Sequence, residues 1–385
     1  MPTFDVDAIS LTELRLRQSA KYQAYEADVI PAWVAEMDFP LAPPIARALH
    51  EAIDRSDTGY RSGLGIVEAL ADFAQRRWDW SVDPGQVLVV PDVLAGLTQT
   101  LEWLTEPGTS VVLNTPIYPP FFPTVKKVAK RGIVDVPLER AEDGTYRWDL
   151  AALEEAFARP DVSAFLLCSP HNPTGTVPSR GVLEAIQALA VEYDVLVISD
   201  EIHGPLTLPG AAHVPYLGMV SGDANAVTLT SASKAWNLPG LKCAQIIGSA
   251  RTAPILQKKV PLDVIYGTGH LGIIGGAAAY REGGPWLDDV VAILDRNRDL
   301  VGELLAEFLP RAVYAPPQAS YLAWIDFRDY DAGDDPSARF LDEARVALSP
   351  GPTYGAGGAG FARLNFATSP AILREIVRRL GGVFQ

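Results

Sequence analysis

The chain has 385 residues, 48% of them hydrophobic and 21% charged, an ordinary soluble composition with length enough for a large core and two domains. Its formal net charge of −15 argues against a broad nucleic-acid footprint, and no apolar run is long enough to span a bilayer. Two cysteines, Cys168 and Cys243, sit in apolar surroundings. They read as reduced thiols of a cytoplasmic protein, not as a disulfide framework or a metal site.

The amino-terminal stretch MPTFDVDAISLTELRLRQSAKY is polar and acidic early on and has no apolar h-region, so no signal peptide is expected. Short apolar runs then recur: QVLVV (86–90), SVVLN (110–114), AFLLC (164–168), DVLVIS (194–199), AVTLT (226–230) and CAQIIG (243–248). Each has strand length, is rich in Val, Ile or Leu, and shows little alternation, as strands covered on both faces do. Helix-like segments such as VLAGLTQTLEWLT and SRGVLEAIQALAVEY lie between them. The alternation predicts a doubly wound α/β domain with a mostly parallel sheet. Further on, WLDDVVAILDRNRDLVGELLAEFL (286–309) has apolar positions at helical spacing, and YLAWIDF (321–327) reads as a strand of a smaller α+β domain. The predicted division is an arm over 1–44, a large domain over 45–280 and a small domain over 281–385.

Distinctive polar residues follow the apolar runs. SVVLN leads into TPIYPPF, AFLLC into SPHNPTG, DVLVIS into DEIH, and AVTLT into SASK. Ligands of open α/β sheets bind outside the carboxyl ends of the strands. Tyr118, Asn172, Asp200, His203, Ser231, Ser233 and Lys234 are therefore expected to converge on one cleft. Singly, Asn172 also fits a turn, Asp200 a cap and His203 a satisfied core histidine. Their shared position at strand ends favours a site.

A lysine among small hydroxyl residues suits a nucleophilic amine that meets an anionic ligand. Pyridoxal 5′-phosphate (PLP) needs such a lysine, and an acid to keep its pyridine nitrogen protonated. Asp200 fits that second role. Asn172 can donate to the ring oxygen, while Ser231, Ser233 and Lys242 can hold the phosphate. The helix starting near Val93 and Leu94 can add main-chain N–H groups.

On these residues the chain resembles the fold type I PLP enzymes of the aminotransferase class I/II family, and within it the C–S β-lyase branch. SPHNPTG resembles the asparagine loop, SDEIH the aspartate strand, and SASKAWNLPGLKCA the lysine segment. LSPGPTYGAGGAGFARLNFA resembles the carboxylate-binding segment, with Arg363 as its arginine. WVAEMDF (33–39), TGYRSGLG (58–65) and the histidine of SDEIH point to the lyase branch. The resemblance implies that Lys234 holds the cofactor and removes the substrate's Cα proton. It implies that Asp200 faces the pyridine nitrogen, Asn172 the ring oxygen and substrate, and that Tyr118 stacks on the ring face and assists proton transfer. It also implies that Tyr60 reaches the phosphate and substrate in the neighbouring subunit of a homodimer. The implied reaction is α,β-elimination on a sulfur amino acid; with L-cystathionine the products are homocysteine, pyruvate and ammonia.

Two positions depart from the family pattern. Lys242 stands where arginine is usual, and Asp92 where the phosphate loop often has glycine. An aminotransferase shares every step up to loss of the Cα proton and is the alternative reading. A non-catalytic binding protein is disfavoured by the intact Lys234 and Asp200. GTGHLG (267–272) satisfies the dinucleotide G-x-G-x-x-G pattern, but it follows the whole strand series instead of opening it, so no nicotinamide cofactor is expected.

Overall fold

The computed structural model describes residues 3–61, 63, 65–220 and 223–384. Within TGYRSGLG, Ser62 and Leu64 lie outside the described residues. The centre is a seven-stranded sheet of β1 (Val87–Val90), β2 (Ser110–Leu113), β3 (Gly132–Asp135), β4 (Val162–Cys168), β5 (Leu196–Asp200), β6 (Ala226–Thr230) and β7 (Ala244–Gly248). Their spatial order is β1-β7-β6-β5-β4-β2-β3. Only β7 runs against the others, antiparallel to β1 and β6. The pairs β2–β3, β2–β4, β4–β5 and β5–β6 are parallel. The carboxyl ends of β1, β2, β4, β5 and β6 therefore share one edge with the start of β7.

The helices that frame the site are α1 (Pro43–Asp54), α2 (Ile66–Trp78), α3 (Val93–Leu104), α4 (Arg180–Glu192), α5 (His270–Glu282), α6 (Gly284–Phe308) and α7 (Pro370–Gly382). Successive strand residues point to opposite faces. Val111, Leu113, Leu166, Ile198 and Leu229 pack with Val93, Leu97 and Leu101 of α3. Val112, Phe165, Leu167 and Val197 pack the other way, with Leu183, Ile186 and Ala190 of α4. Each such burial is worth about 1.5–3 kcal/mol, so covering both faces selects unbroken apolar runs over alternating ones. The strand missing from the sequence reading, β3, is the sheet edge and is only half-buried, which removes the apolar signature.

A second, antiparallel sheet has β8 (Val313–Tyr314), β9 (Leu322–Asp326), β10 (Ser349–Pro350) and β11 (Phe361–Asn365) in the order β8-β9-β11-β10. The helix expected over 286–309 is α6, with Val290, Ile293, Leu294, Val301, Leu304 and Leu305 on its buried side. Ile30–Pro31 pairs in parallel with Val346–Ala347, tying the amino-terminal segment to the carboxyl-terminal part. No helix among the described residues is long and apolar enough to cross a membrane.

The GTGHLG stretch follows the short helix Leu262–Gly267, not a strand, and opens α5. A Cβ at Gly269 or Gly272 would lie 2.3 or 2.2 Å from the Leu241 carbonyl oxygen. These glycines let α5 press against the Leu241 backbone, a packing demand.

Candidate active site

A cavity of about 180 Å³ opens at the shared strand edge. Its walls include Tyr118, Asn172, Asp200, His203, Ser231, Ser233, Lys234 and Lys242, together with Val93 and Leu94 at the start of α3. Residues spread over a long stretch of chain meet there because the strands that carry them end at the same edge.

Asp200 is the last residue of β5 and is buried. Its Oδ1 accepts the Ile202 N–H at 3.1 Å, and burial pushes its carboxyl up to about 7. The next side chain, Glu201, leaves the opposite face. It accepts from Ser199 Oγ at 2.8 Å and from the Tyr216 N–H at 2.8 Å, and it contacts His213 Nε2 at 3.2 Å. Strand alternation thus sends one carboxylate to the cavity and the other to a structural network.

Lys234 lies in the one-turn helix Ala232–Ala235, immediately after β6. Its Nζ donates to the Ala35 carbonyl at 3.0 Å. Burial first, then the Arg363 charge, pull its ammonium down to about 8, with Glu36 and Asp200 opposing. Arg363, in the middle of β11, is 4% exposed. It donates to Asn172 Oδ1 and to the Trp33 carbonyl, each at 3.0 Å, and lies over the Tyr354 ring. Its buried Nε has no hydrogen-bond partner among the described residues. His203 is buried, its Nδ1 is equally unpartnered, and burial with the nearby Lys234 and Arg363 charges lowers its pKa to about 3, so the imidazole is neutral. Tyr118 packs edge-on to Phe121, and burial raises its phenol pKa.

The phosphate-side residues divide. Ser231 Oγ donates to the Cys243 carbonyl at 2.7 Å and accepts the Ser233 N–H at 3.0 Å, so in this arrangement its proton is taken. Asp92 is the N-cap of α3: its Oδ1 accepts the Ala95 N–H at 2.8 Å, and its Oδ2 pairs with Lys242 Nζ at 3.0 Å. The cap leaves the Val93 and Leu94 N–H groups, which no intrahelical carbonyl can reach, at the cavity wall. The Asp92 departure is thereby accounted for as a helix cap neutralised by a lysine.

Tyr60 is not brought into this cavity. It is 86% exposed and packs edge-on to Tyr266, itself well exposed. Sequence reading passed over the Trp33 and Ala35 carbonyls and Tyr321, whose hydroxyl donates to Ala35 O at 2.9 Å. Main-chain carbonyls leave no mark in a sequence; the quoted WVAEMDF stretch was the available signal. Cys168 and Cys243, read only as reduced thiols, line the cavity as well.

The fold and this site define a fold type I α/β protein with a lysine-centred cavity at its sheet edge. The chain belongs to the aminotransferase class I and II family, whose model matches residues 35–380. It is 37% identical to the cystathionine beta-lyase of Corynebacterium glutamicum, over 97% of this chain and 98% of that one. It is 36% identical to cystathionine beta-lyase PatB of Bacillus subtilis, over 92% of each. Among solved structures, cystalysin of Treponema denticola, which contains a pyridoxal 5′-phosphate cofactor, superposes with a TM-score of 0.90. That match has 26% identity and covers 99% of this chain and 98% of the other.

Proposed function

We propose that the protein is a PLP-dependent carbon–sulfur β-lyase, acting on an amino acid with sulfur at Cβ such as L-cystathionine. One observation carries the reading. The Lys234 amine shares a single cavity with the Asp200 carboxyl and the phosphate-side helix start, beside Arg363, in a chain similar over nearly its full length to cystathionine beta-lyases.

The cavity fits the cofactor by its donor set. A lysine with a lowered pKa suits an aldehyde. A buried carboxyl with no salt-bridge partner among the described residues suits a pyridinium. The N–H groups of Val93 and Leu94, which lack an intrahelical acceptor and lie beside Lys242, suit a phosphate. His203 Nδ1 is a buried polar atom with no hydrogen-bond partner among the described residues. When bound, PLP supplies a carbonyl for the substrate amine and a sink for the electron pair left by Cα deprotonation.

The chain's own groups do the rest. Arg363 binds the substrate carboxylate, its plane fixed by Asn172 and Trp33 O. Lys234, neutral in part near neutral pH, takes the Cα proton. With the cofactor bound, Asp200 would hold the opposing charge at the ring nitrogen, Asn172 would donate to the ring oxygen, and Tyr118 would cover the ring face. The carbon–sulfur bond at Cβ then breaks, with the thiolate as leaving group. Overall, cystathionine and water give homocysteine, pyruvate and ammonia.

We further propose that the active unit is a homodimer in which Tyr60 reaches the partner's site; its exposure outside its own cavity supports this. The proposed divisions are an arm (1–44), a cofactor domain (45–280) and a small domain (281–385). The unpaired cysteines fit a cytoplasmic location. Thiol release from L-cystathionine by the PLP-loaded protein tests the activity. Lys234→Ala should release none, and retained release would remove Lys234 from its role.

A further inference from the structure

The stretch Trp33–Phe39 crosses the site as a strap whose main chain is held by side chains from several elements. Asn365 Nδ2 donates to Val34 O at 2.8 Å and to Glu36 O at 2.6 Å, and Lys21 Nζ to Glu36 O at 3.1 Å. Asn237 accepts the Met37 N–H and donates to Met37 O, both at 2.9 Å. With its neighbours pinned, the Ala35 carbonyl is fixed in direction. It accepts two donors: Lys234 Nζ at 3.0 Å and Tyr321 Oη at 2.9 Å. Tyr321 is fully buried, its carbonyl takes the Phe366 N–H at 2.9 Å, and its ring meets His203 edge-on.

A carbonyl oxygen has two lone pairs, and here both are engaged. We propose that Tyr321 is a positioning residue for Lys234: its hydroxyl occupies one side of Ala35 O, so that this carbonyl orients the lysine amine without gripping it. The inference rests on the reading of Lys234 as the cofactor-binding amine. Two donors on one oxygen weaken each other, because each draws on the same electron density. Without the hydroxyl, the buried carbonyl has Lys234 as its sole side-chain donor among the described residues, and an ammonium is the stronger donor than an amine. The hydroxyl therefore acts in the same direction as the burial that already favours the free amine. The other groups facing Lys234 are Asp200 from β5, Arg363 from β11, Glu36 of the strap and His203. Tyr321→Phe alters none of them, and it keeps the ring and its packing, so the fold is retained.

The test has two arms. Cofactor-stripped wild type and Tyr321→Phe are acylated with trace acetic anhydride from neutral to strongly alkaline pH, and modification of the Lys234 peptide is quantified. The variant's Lys234 should react about three- to tenfold more slowly near neutrality, with the two rates converging in alkali, where both amines are uncharged. A merely structural loosening would speed acylation at every pH. Equal or faster reaction of the variant near neutrality overturns the proposal. In the second arm, capture of added PLP should slow by the same factor in the variant. Wild type that captures no PLP at Lys234 overturns the cofactor reading. Capture by both proteins at equal rates overturns the role of Tyr321 alone.

Discussion

Burial acts on Asp200 and Lys234 alike, but against opposite charges. The carboxyl rises to about 7 and the ammonium falls to about 8, so each is close to losing its charge until a complementary ligand arrives. A cation against Asp200 restores its ionised form. Replacing Asp200 by alanine should lower turnover by about a thousandfold, roughly 4 kcal/mol of transition-state stabilisation, and near-normal turnover would mean that another group meets the ring. Stability carries a second signature. The folded-state pKa of Asp200 is above its unfolded value, so the folded state loses stability as pH rises from the ordinary carboxylate range through about 7. The melting temperature of the cofactor-free protein should fall across that window more steeply than that of Asp200→Asn, which has nothing to ionise. Equal slopes would show that Asp200 titrates normally.

The start of α3 is where one element serves stability and ligand binding together. Asp92 caps the helix and is balanced by Lys242, which leaves a carboxylate beside the proposed phosphate position. Asparagine caps as well as aspartate does, but without charge. Asp92→Asn should therefore keep the cap, lower the melting temperature of the cofactor-free protein only slightly, by the roughly 0.3–1 kcal/mol that the charge contributes at the helix end, and tighten PLP binding about two- to fivefold. Weaker binding would mean that Asp92 supports the ligand directly. How much was legible also divides by element. Strands covered on both faces announce themselves as apolar runs, and the residues that end them, Asn172, Asp200 and Lys234, could be assigned to one edge without a structure. The half-exposed β3 could not, because it has no apolar pattern. The strap contacts at Trp33, Ala35 and Glu36 could not either, because they are made by carbonyls that every residue carries. The glycines of GTGHLG match the dinucleotide pattern for a related reason, and only their place after the strand series told against it: close approach to Leu241 O and close approach to a phosphate demand the same residue.

At the scale of the whole molecule, the cavity gathers the proposed cofactor-side groups, Arg363 borders it through Asn172, and Tyr60 alone faces outward, beside Tyr266. If a second copy brings its Tyr60 to this cavity, mixing Tyr60→Phe with Lys234→Ala subunits creates hybrids with one doubly damaged site and one intact site. Activity should then partly recover, and no recovery despite demonstrated subunit exchange would remove Tyr60 from the shared site. The reaction itself is the central claim. Elimination restores the cofactor within each cycle, whereas transamination leaves it aminated until a keto acid accepts the nitrogen. The deciding measurement is product stoichiometry with L-cystathionine as sole substrate and no keto acid added. The account predicts many turnovers, with pyruvate, ammonia and homocysteine formed in equal amounts. No more than a single equivalent of keto acid per site, with further turnover only after an acceptor is supplied, would contradict the lyase and identify an aminotransferase.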